Sequence, residues 1–184
     1  MKKLNKLTII ALLGILLFSF NLIAATKAPP MTTTKEPEAQ IAQRVLLDEK
    51  DMFRTVIFAG RNIFVGYVDV WSEAQYVYVK YTTTTNWFLT ETHLHLAMDW
   101  RQIPQTRKGN PIPGHFAHQM EHNFVTEYTY QIPLNDYKGI PRYGAAHCEL
   151  VKIVNGKKVQ EETGWGKGYE FPGRNWAWYF EITN

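Results

Sequence analysis

The stretch Glu91-Thr92-His93-Leu94-His95 sets a carboxylate and two imidazoles at alternate positions. Alternate side chains of a strand share a face, so Glu91, His93 and His95 look one way. Leu94, Leu96 and Met98 look the other way, towards a core. Two imidazoles at i and i+2 can share a divalent metal such as zinc. His147 and Glu149 repeat the spacing on a later segment and would complete such a site if the two segments are neighbours. The competing reading is a polar strand face held by cross-strand pairs.

The His-x-His pair faintly resembles the cupin pattern, with Asp99 standing where a cupin has its glutamate, but the glycine framing is missing. His118-Gln119-Met120-Glu121-His122 fits the H-x-x-E-H pattern of inverted zinc peptidases, which needs a helix to put both histidines on one face. Pro113 and Gly114 just before it, and the strand-like run "FVTEYTY" just after, leave too little room for that helix. Nucleophilic catalysis is poorly served. Ser72 is the only serine beyond residue 25 and has no nucleophile-elbow context. His147 and Cys148 are adjacent, so a strand points them to opposite faces. No catalytic residue is therefore assigned, and a non-catalytic protein is the favoured reading.

Binding is better served. Trp87, Trp100 and Trp165 fall at strand ends or in loops, and flat indole faces can stack on sugar rings. Tyr169, Arg174 and Asn175, in the Gly-rich stretch 164–175, could take the hydroxyls. The alternative for Trp100 and Trp165 is packing beneath their own loops. The connection from Asp99 to Asn123, with prolines at 104, 111 and 113, is long for a compact domain, and such loops often carry function.

The elements that must position these residues read as strands. After Phe53 eight runs rich in β-branched and aromatic residues follow one another, from "TVIFAG" to "WAWYFEIT". Asn155-Gly156 between two of them signals a type I′ hairpin. The spacing predicts an all-β domain over 53–184, an antiparallel β-sandwich (Ig-like or jelly-roll) of about eight strands, with a barrel as the neighbouring alternative. Val77, Val79 and Tyr81, then Tyr128, Tyr130 and Ile132, then Trp176, Trp178, Phe180 and Ile182 alternate as core faces.

Lys2, Lys3 and Lys6 followed by an apolar run to Ala25 predict a secretory signal peptide over 1–25, and hence a secreted or periplasmic protein. An uncleaved membrane anchor is the alternative. Without a following cysteine, a lipid anchor is not indicated. Residues 26–52 read as a flexible leader in which "PEAQIAQRVLLDEKD" could form a short helix. Residues 1–25 hold three of the 20 basic residues and none of the 17 acidic ones, so the rest of the chain is balanced. That balance gives no basic surface of the kind nucleic acid requires. Cys148 stands alone, so no intramolecular disulfide can form.

Several linked blocks together resemble a domain family of secreted and cell-surface bacterial proteins. They are Glu91-Thr92-His93-Leu94-His95, Gly109-Asn110-Pro111, Ala145-Ala146-His147, and Phe171-Pro172-Gly173 with Trp176-Ala177. The resemblance covers roughly 63–183 and implies one exported β-rich domain, without an activity or catalytic residues. It gives His93, His95 and His147 more weight than His115 and His118. The thiol of Cys148 departs from the pattern. The expectation is thus an exported domain that binds an extracellular ligand, a glycan or a surface component. Metal binding through the histidines is the alternative.

Overall fold

Ten antiparallel strands form in the computed structural model, which describes residues 52–183. The expected signal peptide and, but for Met52, the leader with its short helix lie outside the described residues. The strands are β1 (Phe53–Ala59), β2 (Ile63–Glu73), β3 (Tyr76–Thr83), β4 (Trp87–Ala97) and β5 (His118–Val125), then β6 (Glu127–Pro133), β7 (Tyr143–Val154), β8 (Lys157–Gly166), β9 (Tyr169–Glu170) and β10 (Trp178–Glu181). Eight of them follow one path in the order β5-β4-β7-β8-β1-β2-β3-β6, and β10 adds to β7 and β9.

Turn chemistry sets the order of the hairpins. Asn155 and Gly156 both take positive φ between β7 and β8, as the type I′ signal requires. Ala74 joins β2 to β3 and Asn86 joins β3 to β4, each in the left-handed region. The sheet curls until its two ends meet, which makes it nearly a barrel. Tyr81 on β3 donates its hydroxyl hydrogen bond to the His93 carbonyl on β4 at 3.0 Å, and Tyr130 on β6 donates to the Thr92 carbonyl at 3.0 Å. β5 and β6 share no backbone ladder. Side chains bridge them instead, with His122 and Tyr128 rings 4.5 Å apart.

The all-β antiparallel class expected from the sequence is what forms. One element was hidden: the polar run "HQMEHN" reads as loop, yet with Phe124 and Val125 it forms β5, paired with β4. The long connection therefore spans 98–117.

Two cores result. The principal one lies inside the curl and holds Ile57, Val68, Val79, Tyr81, Leu89, Leu94, Leu150 and Phe180. A second lies on the outer face, where Ile103 and Phe116 of the long connection meet Trp165, Phe171 and Trp178. β7 is covered on both faces, so Gly144 to Cys148 are buried without interruption. Trp178 and Phe180 are both buried as alternation predicts, but in different cores.

A bulge between Leu89 and Glu91 decides which way β4 presents its side chains. Trp87 and Leu89 face the principal core, the extra residue switches the parity, and Thr92, Leu94 and Leu96 take over that face. Glu91, His93 and His95 are thereby turned outward, under the second core.

Candidate functional site

His93 on β4 lies directly opposite His147 on β7, with ring centroids 5.3 Å apart. Glu91 and Glu149 form the neighbouring cross-strand pair. The His93 Nε2 is 3.0 Å from Glu91 Oε1, and the His147 Nε2 is 3.6 Å from Glu149 Oε1. The imidazoles are only 7% and 6% exposed, whereas the carboxylates are half-exposed. Trp165, 4.7 Å from the His147 ring, helps to close this face. Burial, reinforced by His93, pushes the His147 pKa down to about 3, so this imidazole is neutral. The Glu149 carboxyl is raised by burial, then by the charges of Glu91 and Glu161. Each of the two imidazoles keeps a buried Nδ1 without a hydrogen-bond partner.

The structure thus brings Glu91, His93, His147 and Glu149 together. It leaves out His95, whose Nδ1 accepts the Ala117 amide at 3.2 Å while its ring packs on Phe116. Among the described residues no three His, Cys, Asp or Glu side chains are already gathered around one point as metal ligands would be. His118 and His122 sit on a strand, so they share a face that Glu121 does not, and their partners are Tyr130, Tyr128 and Thr92.

A different site is built by the long connection. Asp99 caps a single 3₁₀ turn, Trp100–Gln102: its carboxylate accepts from the Arg101 amide at 2.9 Å, and the Gln102 side chain accepts from the Asp99 amide at 3.1 Å. Ile103 and Phe116 then pin the connection at both ends in the second core. Between them Gln105 and Pro111 bridge, the Thr106 amide donates to the Asn110 carbonyl at 2.7 Å, and the Gly109 amide donates to the Thr106 carbonyl at 2.8 Å. The result is a three-residue hairpin loop, Arg107-Lys108-Gly109, whose glycine sits at φ 81°. A Cβ on Gly109 would also lie 2.6 Å from Pro172 Cγ, so close approach to the second loop demands glycine here as well.

That hairpin is tied to residues 172–175. The Gly173 amide donates to the Gly109 carbonyl at 3.1 Å, and Asn110 Oδ1 accepts from the amides of Arg174 and Asn175 at 2.7 and 3.2 Å. An open cleft of about 410 Å³ lies between the loops, lined by Trp100, Arg101, Gln105, Thr106, Arg107, Lys108, Gly109 and Pro172. Trp100 is half-buried, stacked on Tyr179 at 5.1 Å, with the Arg101 guanidinium 5.1 Å from its ring centre.

The other expected ligand residues are distributed differently. Trp87 and Trp165 are 4% and 5% exposed, packed in the principal and second cores. Neither presents an indole face to a ligand, because each indole is buried in its core. Tyr169 is 58% exposed and lines a separate depression with Arg54, Lys167 and Glu181. Arg174 and Asn175 contribute backbone amides to the loop lock, with exposed side chains. Sequence reasoning gave no role to Arg101, Arg107 or Lys108, and met Asn110 only within the Gly109-Asn110-Pro111 block. For all but Arg101 the signal was "RKGNP", two cations on a turn inside a long connection.

No protein-family model matches the chain, and neither a curated protein nor a solved structure matches it.

Proposed function

We propose that this chain is an exported, non-catalytic β domain that binds an extracellular glycan or surface component in the cleft beside Trp100. One observation carries the reading: the cleft is formed by two loops locked to each other by Asn110, so it is shaped before a ligand arrives. Its volume falls at the lower end of small-ligand sites, and it combines an indole with the amide of Gln105 and the hydroxyl of Thr106. The non-catalytic half of the reading is supported by the state of the reactive groups. His147 is buried and too weak a base to take a proton near neutral pH, and the Cys148 thiol is buried with its pKa pushed far up by desolvation. The test is titration of the exported protein with soluble oligosaccharides, read by tryptophan fluorescence. Binding that disappears in Trp100→Ala, with the fold intact by circular dichroism, is the expected result. An unchanged affinity in Trp100→Ala would move the site elsewhere.

A second reading, a divalent metal held by Glu91, His93, His147 and Glu149, is favoured by the cross-strand pairing of the two imidazoles and by carboxylates free enough to swing in. Metal content of the protein purified without a metal-binding tag tests it. A stoichiometric metal, lost in His147→Ala, would establish this reading; a metal-free protein with a melt unaltered by chelation would end it.

A further inference from the structure

We infer that the ligand of the Trp100 cleft is a polyanionic polysaccharide, recognised through its carboxylate or sulfate groups; this rests on the cleft being the binding site. Every ionisable side chain lining the cleft is basic: Arg101, Arg107 and Lys108. That bias is local, since the acidic and basic residues outside positions 1–25 balance. Arg107 and Lys108 occupy the tip of the hairpin loop, exposed, and among the described residues neither makes an ion pair or hydrogen bond. Two cations side by side on a tight turn repel each other, and an anion between them removes that cost.

Arg101 differs from them. Asp99 holds its guanidinium, with N–O distances of 3.3 and 3.0 Å, which fixes it over Trp100. It therefore orients, while Arg107 and Lys108 supply the uncompensated charge. The remaining lining groups suit a sugar: Gln105 and Thr106 offer polar contacts, and Trp100 and Pro172 offer apolar edges. A membrane surface fits less well, because the tip from Gln105 to Pro111 carries no large apolar side chain to insert among lipids. Nucleic acid fits less well again, because neutralising a phosphate backbone takes a longer basic track than three side chains.

The experiment measures binding of the exported protein to four soluble polymers, dextran sulfate, plain dextran, oligogalacturonate and its methyl ester, and to vesicles of phosphatidylglycerol and phosphatidylcholine. Wild type is compared with an Arg107→Ser, Lys108→Ser double variant. Both residues are exposed at a turn tip, so the double variant should melt with the wild type. The expected result is binding of the two anionic polymers that weakens at least tenfold in the double variant and falls steeply with added salt, with the neutral polymers bound at least tenfold more weakly. Equal binding of neutral and anionic polymers would overturn this inference and leave glycan binding standing. Binding of none of the four would overturn both. Binding only to vesicles of phosphatidylglycerol and phosphatidylcholine would overturn it in favour of an anionic membrane surface.

Discussion

The Asn110 Oδ1 accepts a hydrogen bond from the backbone amide of Arg174, 64 residues further along, at 2.7 Å, and a second from Asn175 at 3.2 Å. One side-chain oxygen thereby fixes the distance between the two loops that make the cleft. The adjoining glycines share the task. A Cβ on Gly173 would stand 1.9 Å from that same oxygen. Asn110→Ala removes the acceptor, but the amides lie near the surface and can turn to water, so the stability loss should be about 1 kcal/mol, a few degrees of melting temperature. The effect on ligand should be larger, at least tenfold, because the cleft loses its shape. Asn110→Asp keeps the acceptor and should retain the melt. Calorimetry alongside binding checks both.

Acid should weaken the fold, and His147 identifies one cause. Its folded pKa is about 3 against an ordinary value of 6.5, so between those limits the unfolded chain takes up a proton that the folded chain refuses. Its contribution is complete above pH 6.5 and is lost as pH falls towards 3, at up to about 1.4 kcal/mol per unit. His95, His118 and His122 are lowered by burial and act in the same direction. Glu149 acts the other way: its raised pKa stabilises below the ordinary carboxylate range, and that part is lost as pH rises through its folded value. The large His147 shift outweighs the smaller one of Glu149, so melting temperature should fall steadily from pH 7 to pH 4. His147→Gln should flatten that slope even if it lowers every melting point. An unchanged slope would show that His147 does not set it.

Cys148 is fully buried in the principal core, and desolvation followed by the Glu149 charge pushes its thiol pKa far up. A protonated thiol without access does not react. Folded protein should therefore resist a thiol reagent such as dithionitrobenzoate, and should react with one equivalent once unfolded in guanidinium. Rapid reaction of the native protein would mean that β7 opens locally. The same burial leaves no route to an intermolecular disulfide in the folded state.

The core was readable in the sequence because period-2 alternation survives wherever one face is buried: Val77, Val79 and Tyr81 are all inside. The outward turn of Glu91, His93 and His95 was readable for the same reason. What covers that face was not, because Phe116 and Trp165 reach it from segments more than 20 residues further along the chain, and no local pattern reports such packing. β5 was missed because its residues have little intrinsic strand preference, and pairing with β4 overrides that. Trp87 and Trp165 stand beside turn residues, which made them look available. The cleft was missed for the opposite reason: it depends on Asn110 meeting Arg174, a contact between two loops that each read as irregular.

Closure of the sheet rests on a short relay, and this gives the last prediction. His122 Nε2 and Thr92 Oγ1 are 2.8 Å apart, Thr92 Oγ1 and the Tyr130 hydroxyl are 2.8 Å apart, and Tyr130 donates to the Thr92 carbonyl. With the proton of His122 on Nε2, every donor has an acceptor: His122 gives to Thr92, the Thr92 hydroxyl to Tyr130, and Tyr130 to the Thr92 carbonyl. The relay ties β5, β4 and β6 together where β5 and β6 lack a ladder. Tyr130→Phe breaks it and leaves the fully buried Thr92 short of partners, which should cost about 1–3 kcal/mol. The change should also be visible at high pH. Burial raises the Tyr130 phenol to about 12, so its share of stability holds below pH 10 and is lost between 10 and 12. Denaturant melts of wild type and Tyr130→Phe at pH 8 and pH 11 should therefore converge at the higher pH. If the gap stays constant, the tyrosine acts by filling space alone.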